Sequence, residues 1–138
     1  MKGRSGLCCY MVICTADKSG KILSLSYGKH VGLQDMHRCV EAVRGVMPRL
    51  KPGFVLLSDL SHLEAMDPAC AQPVGTLLDL CSARGISTLV RVMPDPSKDI
   101  GFNIISHFHL PPPVKMVAHE SLAEAISNLA EHFEPAEV

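Results

Sequence analysis

The residues able to do chemistry in this 138-residue chain are few and scattered. His107-Phe108-His109 is an H-x-H pair that could enter a metal site, but it has no third Cys or carboxylate at metal-ligand spacing. On a helix, residues two apart point to different sides, so these histidines are expected as solvated or helix-terminal side chains. Cys70 stands where a helix opens, a position that would lower its pKa and make a reactive thiolate. A nucleophilic cysteine also needs a base, and only His62 in the preceding loop is near in sequence; a packed small side chain is the default. Asp59 and Asp67 flank one loop and are expected to bond a strand end and cap a helix. There is no G-x-S-x-G, no Gly-rich phosphate cradle and no H-E-x-x-H, and no paired carboxylates suggest an acid and a base. The expectation is a protein that is not an enzyme and carries no cofactor and no metal.

Composition narrows the classes further. Hydrophobic residues make up 47% and charged residues 20%, a globular balance, while aromatics are only 4%. The core must come from Leu, Val, Ile, Met and Ala, and stacking platforms for single-stranded nucleic acid are scarce. The formal charge of −1 gives no electrostatic footprint for a polyanion, so nucleic acid is excluded as a partner. Cys8, Cys9, Cys14, Cys39, Cys70 and Cys81 contain no C-x-x-C and no zinc spacing. In a chain large enough to build its own core they suggest reduced, buried thiols and a cytoplasmic location. Against this, Lys2 and Arg4 precede an apolar stretch, Leu7–Ala16, that has the shape of a short signal peptide. The turn Asp17-Lys18-Ser19-Gly20 and the alternation that follows from Lys21 to Tyr27 make residues 8–16 the partner strand of a hairpin instead. No stretch approaches the ~20 apolar residues of a membrane span.

The elements that must position these residues follow from periodicity. Leu33, Met36, Val40, Val43, Met47 and Leu50 fall on one helical face over about five turns, closed by Pro48, Pro52 and Gly53. Phe54–Leu57 is a buried strand ending at Ser58-Asp59. The second helix begins either at Asp67, with distortion at Pro73, or at Pro73 itself. Val74, Leu77, Leu78 and Cys81 form its buried face and Gly85 its C-terminal cap. Ser87–Met93 is another buried strand. A short helix runs from an Asp99 cap through about His109 to Pro111-Pro112-Pro113, Val114–Val117 is the last strand, and Ser121-Leu122-Ala123-Glu124 caps a helix whose face is Leu122, Ile126, Leu129 and Phe133. The order is β-β-α-β-α-β-α-β-α in one domain, 1–138, with 1–7 and 134–138 flexible. It predicts an α/β fold with a single mixed, mostly parallel five-stranded sheet flanked by four helices, the opening hairpin supplying the antiparallel edge.

This order, with residues 59–70, resembles the STAS domain of bacterial anti-sigma-factor antagonists, also called SpoIIAA-like. In that family a buried strand ends in a D-L-S-like step, crosses a loop with two apolar anchors and reaches a D-S-S-G motif opening a helix. Here the stretch reads Asp59-Leu60-Ser61, then Leu63 and Met66, then Asp67-Pro68-Ala69-Cys70. The resemblance implies a regulatory module that binds a protein partner, either a kinase-like anti-sigma factor or another regulator, or a second copy of itself. The family's phosphoacceptor serine falls on Ala69, which has no hydroxyl, so the resemblance also implies that the usual phosphoswitch is missing. Pro68 and Cys70 replace the motif's first serine and its glycine. The surface so implied comprises Ser61, His62, Asp67, Pro68, Ala69 and Cys70, with Phe102 and Ile105 of the short helix. Two rival readings stand beside it: a small apolar ligand or nucleotide in a pocket lined by Phe102, Ile105, Phe108 and Leu110, and a redox or nucleophilic activity at Cys70.

Overall fold

A computed structural model describes residues 12–95, 97 and 100–132. The expected strand residues 8–11, the Asp99 cap, Phe133 and the two flexible ends lie outside the described residues. Strand β1 (Val12–Ala16) and β2 (Ile22–Tyr27) form the antiparallel hairpin, in register from Val12 opposite Tyr27 to Ala16 opposite Leu23. Val12–Ala16 is paired with β2 along its whole length, as the hairpin expectation requires. The Asp17 carboxylate holds the turn by accepting the amides of Lys21 and Ile22, each at 2.8 Å, and the hydroxyl of Ser19. Gly20 has φ +74°, and a Cβ there would lie 2.2 Å from the carbonyl oxygen of Arg49, so no other residue fits the tip.

Helix α1 (Leu33–Val46) buries Met36, Cys39, Val40 and Val43. Its start is held by Asp35, whose Oδ2 accepts the Gly32 amide at 2.8 Å. The helix is shorter than the hydrophobic spacing suggests: Met47–Arg49 is a 3-10 turn around Pro48, and Leu50 is extended although fully buried. Pro48 cannot donate into an α-helix, so the apolar row continues while the backbone changes form.

Strand β4 (Val55–Asp59) pairs in parallel with β2 on one side and with β6 (Thr88–Val92) on the other, and β7 (Lys115–His119) extends the sheet beyond β6. The sheet order is β1-β2-β4-β6-β7, one antiparallel pair followed by three parallel ones, as the alternation of strands and helices demands. A second, two-stranded parallel ladder joins β3 (His30–Val31) to β5 (Ala65–Met66). No sequence signal marked it.

Helix α2 (Ala71–Arg84) begins at neither expected residue. A 3-10 turn, Pro68–Cys70, precedes it, capped by Asp67, whose Oδ1 accepts the Ala69 amide at 2.9 Å. Pro73 thereby falls in the first turn of the α-helix, where a missing N–H costs nothing. Gly85 ends the helix at φ +97°, with its amide donating back to Cys81 and Ser82.

Helices α1, α2 and α3 (Ile100–His109) cover one face of the sheet, packing Leu23, Leu25, Leu56 and Leu89 beneath Met36, Val43, Leu77 and Leu110. Helix α4 (Leu122–His132) covers the other, where Ala125 and Leu129 meet Val55, Val90 and Val92. The face expected for α4 is buried only in part: Leu129 is covered, but Leu122 and Ile126 are 38% and 52% exposed, and Ala125 is buried in their place. Ser121 is its cap, with its Oγ accepting the Glu124 amide at 3.1 Å. Among the described residues no helix is long and apolar enough to cross a membrane.

Candidate functional site

The parallel strands aim their carboxyl ends at one edge of the sheet, where loops and helix starts leave a crevice. Beyond β4 the chain turns sharply. Asp59 Oδ1 accepts both the amide of Ser61 at 3.0 Å and its hydroxyl at 2.6 Å, and the Leu60 amide donates to Val92 O at 2.9 Å. Leu60 is buried by this tie, and Leu63 and Met66 pack against the core, so they anchor the loop as the family resemblance implies. The β3–β5 ladder fixes the far side: the amides of Glu64 and Ala65 donate to Lys29 O, and that of Asp67 to Val31 O.

Between this loop, the start of α2 and the inner side of α3 lies an apolar groove of about 380 Å³. Leu63, Met66, Val74, Phe102 and Ile105 make its walls, with Asp67, Pro68 and Ala71 along the lip. Phe102 also meets the ring of Tyr27 edge-on, with centroids 6.1 Å apart, which fastens α3 to the sheet. Beneath α3, the buried Arg91 of β6 donates from Nη2 to Asn103 Oδ1 at 3.3 Å.

Of the residues singled out by sequence, Asp67, Pro68, Phe102 and Ile105 converge on the groove. Ala69 is exposed on the adjoining turn, while Ser61 and His62 lie on the loop after β4 and do not line it. Phe108 and Leu110 were expected in the lining and are absent from it: Phe108 is 83% exposed and Leu110 is fully buried. The lining residues that sequence reasoning did not assign to the groove are Glu64 and Ala65 in the loop and Ala71, Val74 and Gly101 on the helices, which no local pattern separates from ordinary positions.

Cys70 is not a poised thiolate. Its side chain is fully buried and its Sγ lies 3.8 Å from Val31 O. Burial raises its pKa, and the nearby Asp67 and Asp35 carboxylates raise it further. These effects outweigh the helix start that would lower it, so the nucleophilic reading loses its physical basis. Cys39 and Cys81 are likewise pushed up to about 12, first by burial and then by neighbouring thiols. In the H-x-H pair, His107 is exposed, and His109 Nδ1 lies 2.7 Å from Asp79 Oδ1 on α2. The His109 ring sits over Gly75, where an added Cβ would come to 2.6 Å from Nε2. His109 thus clasps α3 to α2. Among the described residues no three His, Cys, Asp or Glu side chains gather into a metal site.

A mixed, mostly parallel five-stranded sheet with helices on both faces is a SpoIIAA-like fold, and comparison with solved structures bears this out. An uncharacterised protein of the DUF3478 family from Shewanella loihica PV-4, itself described as having a SpoIIAA-like fold, superposes with a TM-score of 0.61 at 13% identity, covering 86% of this chain and 91% of that one. The anti-sigma factor antagonist SpoIIAA in its unphosphorylated form gives 0.60 at 11% identity, over 86% and 96% of the two chains. An anti-sigma factor antagonist from Mycobacterium paratuberculosis gives 0.53 at 13%, over 86% and 94%. No family model matches the sequence. No curated protein matches it either.

Proposed function

We propose that this chain is a non-enzymatic, cytoplasmic regulatory module that docks a protein partner at the corner formed by the Pro68–Cys70 turn, the start of α2 and the inner side of α3. The observation that carries the reading is the groove itself, a preformed apolar crevice beside the turn that bears Ala69. The likeness of fold to anti-sigma factor antagonists supports a binding role over a catalytic one. Ala69 has no hydroxyl to phosphorylate, so the module works without the serine phosphoswitch that its resemblance to the family would assign to this position. The free thiols support a reducing compartment.

The test is a charge at the turn. Ala69→Glu should leave the fold intact, because the residue is exposed, and should weaken association by more than ~1 kcal/mol because the charge is desolvated on docking. Affinity capture with wild-type and variant baits, quantified by mass spectrometry, reads this directly. A variant that folds normally and retains every wild-type partner would put the docking face elsewhere. The volume of the groove, which suits a drug-sized molecule, favours a small apolar ligand as a second reading. A saturable rise in Tm across a ligand library is its signature.

A further inference from the structure

The groove is chemically lopsided. Among its described lining residues the only charged ones are Glu64 and Asp67, both acidic, and no Lys, Arg or His lines it. Both lie at its mouth: the Glu64 side chain is 55% exposed and Asp67 is exposed. Asp67 accepts the neutral Ala69 amide, which compensates no charge. Glu64 Oε1 lies 3.9 Å from His30 Nε2, a long contact between two solvated side chains that contributes little.

Helix α3 carries the apolar surface beyond the groove. Its 3.6-residue repeat sets Ile104 and Phe108 beside Gly101 and Ile105, which are lining residues. Ile104 is 55% exposed and Phe108 83%. An apolar ridge continuous with an apolar crevice marks an interaction surface. A small apolar ligand would fill the crevice and leave the ridge and both carboxylates unexplained.

We infer that the groove and the Ile104–Phe108 ridge together receive a cationic amphipathic helix of a protein partner, its apolar face seated in the crevice and over the ridge, its Lys or Arg side chains meeting Glu64 and Asp67. The inference rests on reading this corner as the docking face and adds the chemistry of what docks. A ten-residue α3 is about 15 Å long, so a partner helix of about three turns spans it. A second copy of this chain is a poor fit, since no described helix joins an exposed apolar stripe to Lys or Arg. On α1, Arg38 and Arg44 are paired with Asp35 and Glu41, and the exposed stripe of α4, Leu122 and Ile126, is flanked by Glu124.

Two synthetic helical peptides with one leucine face, flanked by Lys in one and by Glu in the other, decide the matter by fluorescence anisotropy and amide chemical shifts on the full chain. The Lys peptide should bind at least about tenfold tighter, weaken as salt rises, and shift the amides of Gly101, Phe102 and Ile105. The double variant Glu64→Gln, Asp67→Asn, in which Asn keeps the cap, should bring the two peptides within about threefold of each other. Phe108→Ala should weaken the Lys peptide by about tenfold without changing the fold, since the ring is in solvent. Equal binding of both peptides would overturn the cationic inference and leave the docking face standing. No binding by either peptide would overturn it as well. In that case the Ala69→Glu capture separates the two ideas: partner loss keeps the docking face, and partner retention removes both.

Discussion

The two faces of the sheet are built to different depths. On one, α1, α2 and α3 bury a core that runs from Leu23 and Leu25 on β2 through Leu56 and Leu89 to Leu110. On the other, among the described residues, α4 contributes Ala125 and Leu129 over Val55, Val90 and Val92. Burial of apolar area is the main stabilising term, so the first face carries most of the stability and the second is a lid of one helix. The groove is cut into the rim of the thick face. A binding crevice needs walls that stay in place when it is empty, and the thick face supplies them.

The sharpest way to break this comparison is at the centre of each face. Leu56→Ala, fully buried under the three helices, should cost about 3–4 kcal/mol in denaturant unfolding and abolish any groove-dependent binding. Leu129→Ala should cost nearer about 2 kcal/mol, because its site borders solvent and can relax. Hydrogen exchange should then show α4 losing protection while α1 and α2 keep theirs; equal loss in all three would mean that the faces form one core.

Much of the thick face was legible in the sequence, and the reasons are physical. The spacing from Leu33 to Val43 is long enough for a 3.6-residue period to stand out, and the run Phe54–Leu57 is apolar on every residue because it is a central strand with both faces covered. The β3–β5 ladder was not legible, since two-residue strands show no period. The thin face was misread for a different reason. An amphipathic pattern tells which side of a helix is apolar, not how much of that side a neighbour covers, so Leu122 and Ile126 looked buried when the contact is made by Leu129 of that face together with Ala125. The candidate site was half legible. Phe102 and Ile105 belong to it, and Cys70 is packed as its default reading had it; the rival reactive reading fails because position at a helix start says nothing of what packs above it, here the Val31 carbonyl.

Smaller effects sharpen the picture at the rim. Asp67→Ala should remove the cap of the Pro68–Cys70 turn and cost about 1 kcal/mol, while Asp67→Asn, which still accepts the Ala69 amide, should cost little; thermal melts of the pair test this. The smallest effect is expected at the hairpin tip. Burial alone would raise the Asp17 carboxyl, but hydrogen bonds from Ser19, Ile22 and Lys21 outweigh it and hold the pKa below its ordinary value. A depressed carboxyl contributes stability that is fully present above its unfolded pKa and lost as pH falls through the folded one. Acidification below the usual carboxylate range should therefore loosen the β1–β2 turn, and Asp17→Asn should remove that pH dependence, both read from amide shifts.

The burial of the thiols has a practical consequence. Cys39 sits on α1, Cys70 at the turn before α2 and Cys81 within α2, all with almost no exposure, while Cys14 on the edge strand is partly open. A thiol reagent can reach the buried three only when their own part of the molecule swings away, so the pace at which each is labelled is a clock for that opening. Cys70 times the groove lip, and Cys39 and Cys81 time the core beneath it. A partner seated on the groove would slow the first clock and leave the other two nearly unchanged.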